Sequence, residues 1–133
     1  NRTTAFRVIK GGPSSQRIEN RLGGADANPY LALSATLGAG LLGIEERILP
    51  TKPIIGGAYD ISVAKEHQIP RNLGEASDLF YKSTVARKLF GELFVDHFSD
   101  TRNWEYAQYQ RQRKLLETDK ISTWELSRYF EII

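Results

Sequence analysis

The sequence predicts an α+β fold: two antiparallel strands followed by a mostly helical C-terminal region. Two observations predict it. Residues 5–10 and 17–22 alternate apolar and polar side chains around Gly11-Gly12-Pro13-Ser14-Ser15, the pattern of two strands joined by a turn. Beyond residue 28 the apolar residues recur instead at steps of three and four, the helical period.

The first helix begins at Asn28-Pro29. Asn is a good N-cap, and proline suits the first helical position because the N–H it lacks has no partner there. Its pattern runs on to Pro50. Ala35, Ala39 and Gly43 fall four apart, a spacing that lets another backbone approach closely. Pro29 to Ile44 is the longest apolar stretch; it is short for a membrane span and holds three glycines, so a buried helix is expected. Residues 51–71 read as loop. Asn72 followed by Glu75 resembles a capping box for a helix from Leu73 towards Tyr81, and Ser83 caps a further helix that Gly91 interrupts. A long helix is expected over 92–115, where Phe94, His97, Phe98, Thr101, Trp104 and Ala107 share the period. Its aromatic stripe reads as core or subunit contact. Arg111, Arg113 and Lys114 suit its C-terminal end, where cations complement the helix dipole. Ser122 followed by Glu125 caps a last helix over 123–132 that carries Trp124, Tyr129 and Phe130 for packing.

Composition bounds the partners. The 133 residues suffice for one ordinary core, and two Trp, six Tyr and six Phe can fill it. A net charge of +2 gives no strong field for nucleic acid or membrane. There is no cysteine, which excludes disulfides and thiolate metal sites. No signal peptide, repeat or low-complexity tract is visible, and nothing marks a boundary between independent domains. The start at Asn1, without any methionine, is read as an internal or C-terminal piece of a longer protein.

The run Arg17-Ile18-Glu19-Asn20-Arg21 carries the chemistry. In a strand, alternate side chains share a face, so one face reads cation, anion, cation while Ile18 and Leu22 point the other way. The two arginines leave the backbone roughly 13 Å apart, a span suited to a phosphate chain. Arg2 and Arg7 add cations beside the first strand. Arginine is a permanently charged fork that pairs with phosphate or carboxylate in bidentate fashion. On the residues alone two readings stay open. One is a solvated face whose charges neutralise each other. In the other, Glu19 coordinates a hard divalent cation and the arginines hold a polyphosphate. RNA backbone is disfavoured because no aromatic residues interleave with the arginines. Gly11-Gly12 and Gly23-Gly24 lack the phosphate-loop pattern and read as turn glycines. His67 reads as an exposed loop residue, and His97 as packed or hydrogen-bonded on the long helix rather than a metal ligand.

Asn1-Arg2 with Arg7, then Arg17-Ile18-Glu19-Asn20-Arg21, then Gly24-Ala25-Asp26-Ala27-Asn28-Pro29-Tyr30-Leu31, closely resemble the C-terminal part of the glutamine synthetase catalytic domain. Phe94-Val95-Asp96-His97-Phe98 and Trp124-Glu125-Leu126-Ser127-Arg128-Tyr129-Phe130 are similar to that family's C-terminal helices. The joined motifs decide against a merely solvated face. The resemblance implies that the chain, 1–133, is a C-terminal segment of such a catalytic domain, without the N-terminal β-grasp and the first part of that domain. It implies an ATP-dependent ligase that phosphorylates the γ-carboxylate of glutamate and joins it to ammonia or an amine. Glu19 is then a ligand of catalytic Mg²⁺ or Mn²⁺, Arg7 and Arg17 contact the nucleotide phosphates, Arg21 holds the reacting carboxyl group, and Arg2 lies near phosphoryl transfer. It further implies a cytoplasmic protein of homo-oligomeric rings, binding neither nucleic acid nor membrane, whose isolated segment is inactive. Arg21-Leu22-Gly23-Gly24-Ala25-Asp26 departs from the R-F-P-D of bacterial ammonia-using enzymes and looks more like the branch that makes γ-glutamylamines or γ-glutamylpolyamines, or a relative of unassigned substrate. A noncatalytic scaffold member of the family is the alternative.

Overall fold

A computed structural model describes residues 3–59, 61–113 and 121–130. The order is β1 (Phe6–Ile9), β2 (Arg17–Asn20), α1 (Pro29–Glu45), a short 3-10 turn (Lys65–His67), α2 (Leu73–Lys82), α3 (Thr84–Phe90), α4 (Glu92–Arg113) and α5 (Thr123–Tyr129). This is the expected α+β arrangement. The chain forms two compact units, Asn1–Glu66 and His67–Ile133.

In the N-terminal unit, β1 and β2 pair antiparallel with Phe6 opposite Asn20, Arg7 opposite Glu19, Val8 opposite Ile18 and Ile9 opposite Arg17. The turn between them closes when Gly12 O accepts from Ser15 N and Gln16 N at 2.9 and 3.1 Å. Asn28 caps α1 as expected, its Oδ1 accepting from Tyr30 N and Leu31 N at 3.0 and 3.2 Å. The helix stops at Glu45, short of Pro50. Ile48 N donates to Gly43 O and Arg47 N to Ile44 O, a Schellman closure. It places Arg47 at φ 52°, the left-handed position usually taken by glycine.

Two expectations for α1 are corrected. It is not a buried helix: Leu42 is its only buried residue, while Tyr30, Leu33, Leu37, Leu41 and Ile44 are exposed. Nothing lies within 4 Å of a Cβ built at Gly43, so among the described residues no second backbone enters beside that glycine. A helix apolar all round needs cover on every side, and a two-stranded ribbon and a loop are too small to supply it. No helix among the described residues is long and apolar enough to cross a membrane.

The C-terminal unit holds a packed interior. α2, α3 and α5 all lie against α4. Val95 and Ser99 of α4 are fully buried, with Ala86 of α3 and Ser77 of α2 nearly so. Phe80, Phe90, Phe94 and Phe98 form a chain of rings with centroids 5.6–6.2 Å apart. Gly74 of α2 lies against the Tyr106 ring so closely that a Cβ there would sit 2.5 Å from it. Gly91, at φ 81°, ends α3 as expected. Arg87 of α3 spans the joint, pairing with Glu92 and, at 2.9 Å, with Asp96.

The caps differ in detail. Asn72 accepts from Glu75 N at 2.9 Å, but the Glu75 carboxylate reaches back to Arg71 N rather than Asn72 N. The Ser122–Glu125 capping box is complete, its hydrogen bonds 2.7 and 3.1 Å. His67 is exposed, as expected. His97 is exposed too, which corrects the packed half of the packed-or-hydrogen-bonded expectation: Val95 and Ser99 take the buried face of α4, and His97 and Trp104 fall on the outer one. Lys114 and the expected ends of the last two helices, 114–115 and 131–132, lie outside the described residues.

Candidate functional site: an ionic face on the β-ribbon

Residues directly opposite in an antiparallel ladder share a face, so the register puts Arg7, Ile9, Arg17 and Glu19 on one side of the ribbon. Arg21 continues that side one step further, its N–H donating to Ala5 O at 2.8 Å. Phe6, Val8, Ile18 and Asn20 occupy the opposite side, where the three apolar residues are more than half exposed. The cation–anion–cation stripe of β2 therefore forms as the sequence predicts, and Arg7 joins it from β1.

Arg7, Arg17 and Arg21 converge on Glu19. Arg7 Nε donates to Glu19 Oε2 at 2.8 Å and Arg7 Nη2 lies 2.6 Å from the same oxygen. Arg17 Nη2 reaches Glu19 Oε1 at 3.2 Å, and Arg21 Nη1 lies 3.9 Å from Oε2. The Glu19 side chain keeps a quarter of its surface exposed. Burial, the largest single influence, pushes its carboxyl upward. The Arg7 hydrogen bond and the charges of Arg7 and Arg17 together outweigh it and hold the group below the usual carboxylate range. Arg17 also donates through Nη1 to Ser15 O at 3.2 Å, which ties its guanidinium to the turn.

Three permanent cations around one carboxylate leave a surplus of two positive charges on one face of the ribbon. Such a surface suits a multiply charged anion, and guanidinium forks suit phosphate and carboxylate oxygens. Glu19, ionised and partly open, fits as one oxygen ligand of a hard divalent cation. It is one donor rather than a coordination shell: among the described residues no three His, Asp or Glu side chains gather. Arg2 lies outside the described residues. The hollows of the C-terminal unit, one beside Asn72, Glu75, Asp78 and Tyr106 and the other beside Asp100, Arg102 and Arg128, involve none of these groups.

Two arrangements have no counterpart in the sequence motifs. Asn20, on the far side of β2, donates through Nδ2 to Thr36 Oγ1 of α1 at 2.9 Å and accepts from Leu22 N at 3.0 Å. In the C-terminal unit, Glu105 is buried on α4 and accepts from Arg128 Nε and Nη2 at 2.9 and 3.1 Å and from Tyr129 Oη at 2.5 Å. The Arg128 hydrogen bond, opposed by burial and aided by Tyr129, lowers the Glu105 carboxyl. Burial and Glu105 push the Tyr129 hydroxyl up to about 12. An acidic residue on a helix gives a sequence reader no reason to expect burial; only its place one turn beyond Thr101 on the packed side of α4 does.

A two-stranded ribbon with an arginine-lined face, followed by helices packed on one long helix, is the class of structure that these elements define. Residues 1–129 match the family described as the catalytic domain of glutamine synthetase, and the chain belongs to that family. It is 44% identical to a type-1 glutamine synthetase 2 of Dictyostelium discoideum, over 100% of this chain and 24% of that protein. It is 39% identical to a glutamate–isopropylamine ligase of a Pseudomonas species, over 100% of this chain and 27% of that protein. A γ-glutamylethanolamide synthetase of Streptomyces coelicolor is also 39% identical, over 98% of this chain and 26% of its own length. The chain thus spans about a quarter of the length of these curated relatives.

Proposed function

We propose that the protein carrying this chain is an ATP-dependent ligase that activates the γ-carboxylate of glutamate as an acyl phosphate and transfers the acyl group to ammonia or an amine. The observation that carries this reading is the convergence of Arg7, Arg17 and Arg21 on Glu19, on one side of a two-stranded ribbon, in a chain of the glutamine synthetase family.

Each residue has a role that its chemistry supports. Arg7 and Arg17 bind the nucleotide phosphates, where charge without a transferable proton is needed. Arg21, at the end of the stripe, holds the carboxyl group that accepts the phosphoryl group. Arg2 assists at the same place. Glu19 serves as one ligand of Mg²⁺ or Mn²⁺, which when bound neutralises phosphate charge. The arginines around Glu19 keep it deprotonated and therefore available. Prearranged charge of this kind favours a transition state in which negative charge spreads over the transferring oxygens. The reaction then ends when the amine nitrogen attacks the acyl carbon, phosphate leaves and the nitrogen loses a proton.

Two relatives bear the names of amine ligases, and Leu22-Gly23-Gly24 follows Arg21 in place of F-P-D. Both support an organic amine as nucleophile. The exposed apolar residues of α1 support cover by further protein; in our reading the whole protein is a ring-like homo-oligomer in the cytoplasm, and the isolated segment should not turn over. The test is ADP release by the full-length protein with glutamate against ammonia and a panel of alkyl amines, ethanolamine and polyamines. Glutamate-dependent ADP release is expected with at least one nucleophile, and Glu19→Ala should lower it by roughly two orders of magnitude. No glutamate-dependent release with any of them would sink the ligase reading in favour of a scaffold.

A further inference from the structure

We infer that Asn20 and Thr36 form a clamp that positions Arg21, and so act selectively on the acid substrate's half of the site. The inference rests on the ligase reading for its kinetic consequence but on geometry for its mechanism.

The proton inventory fixes the clamp. Thr36 Oγ1 has a single proton, and it donates that proton to Ala32 O at 2.8 Å, one turn back on α1. Towards Asn20 the hydroxyl therefore offers only lone pairs. Asn20 must present its NH₂ group, as it does at 2.9 Å. With its nitrogen committed to Thr36, its amide oxygen faces the other way and accepts from Leu22 N at 3.0 Å. A flipped amide would set two acceptors against each other at Thr36 and two donors at Leu22.

The consequence falls on the residue between. The backbone of Arg21 is held on its N-terminal side by its own N–H to Ala5 O, 2.8 Å, and on its C-terminal side by Leu22 N to Asn20 Oδ1. Past Asn20 the ladder of β2 ends, so without the amide Leu22 would have no described tie to the ribbon. Asn20 and Thr36 also join β2 to α1, and Thr36 is half-buried. Arg7 and Arg17 lie within the paired part of the ribbon and do not depend on this link. Asn20 points away from the ionic face and touches no reacting atom; it is a positioning residue.

The experiment compares Thr36→Val, which keeps the shape of the side chain and removes the acceptor, with Thr36→Ser, which restores it, in the full-length protein. Asn20→Ala removes both bonds. Thr36→Val is expected to lower kcat/KM for glutamate roughly tenfold, the size of one lost hydrogen bond, with KM for ATP within twofold of the original. Thr36→Ser should recover most of the loss. Hydrogen exchange at Leu22 N–H should speed up in Thr36→Val and Asn20→Ala. Equal losses for glutamate and ATP, no loss for either, or unchanged exchange at Leu22 would each overturn the clamp. If the unsubstituted protein releases no ADP, the ligase reading fails by itself; faster exchange at Leu22 would still uphold the clamp's geometry, and unchanged exchange would remove it as well.

Discussion

The two units spend the same kinds of side chain in opposite ways. The N-terminal unit leaves Leu33, Leu37, Leu41 and Ile44 of a 17-residue helix in the open and gathers its charges on an accessible ribbon face. The C-terminal unit stacks its phenylalanines between helices and buries a carboxylate beneath a partly exposed arginine and tyrosine. Binding of a charged substrate needs ionic groups that water and ligand can reach. Stability needs contacts that they cannot. The division leaves the open charged face in one unit and most of the buried residues in the other.

The sharpest way to break that comparison is Glu105→Ala. It leaves Arg128 and Tyr129 without their acceptor, and because the Arg128 side chain is 43% exposed the expected loss is about 2–3 kcal/mol, below that of a fully buried pair. Denaturant unfolding followed by tryptophan fluorescence should read it, since Trp124 packs edge-on against Tyr129. The pH profile gives the sign independently. Folding lowers the Glu105 carboxyl below its ordinary 4.5, so its stabilisation is complete above that value and disappears as pH falls through the folded one. Tyr129 is raised from 10.0 to about 12, so its share is complete below pH 10 and is lost as pH climbs towards 12. Glu105→Gln should flatten the acid limb; an unchanged limb would remove Glu105 from the account.

A pair of glycines probes packing directly. Gly74→Ala forces a methyl into the Tyr106 ring and should cost about 1–3 kcal/mol. Gly40→Ala, on α1 with nothing within 4 Å, should instead stabilise by about 0.5–1 kcal/mol through helix propensity. If both substitutions destabilised alike in thermal unfolding, the contrast between an open and a packed unit would be wrong. Between them in size, Arg47→Gly should gain about 1 kcal/mol by relieving the left-handed backbone after α1.

Much of this was legible before any coordinates. The strand pair, the five helices and the shared face of Arg17, Glu19 and Arg21 follow from periods of two and about three and a half, and Asn28-Pro29 and Ser122-x-x-Glu125 announce their helices because capping is local chemistry. The end of α1 was hidden because its left-handed residue is Arg47, where glycine is the readable signal. The exposure of α1 and of His97 was hidden for a different reason. Apolar period says which residues want cover, not whether neighbours exist to give it. Asn20–Thr36 and Glu105–Arg128 join residues 16 and 23 positions apart, and no local pattern encodes such a meeting.

The two-sidedness of the ribbon sets a rule for how its sequence can drift. Lengthening the bend between Gly11 and Gln16 leaves every guanidinium where it is. A single codon gained or lost between Arg17 and Arg21 would invert whatever follows it, sending Ile18 or Asn20 among the cations and an arginine out among Phe6 and Val8. Length variation among descendants of this gene should therefore collect in the bend and spare the five residues beyond it.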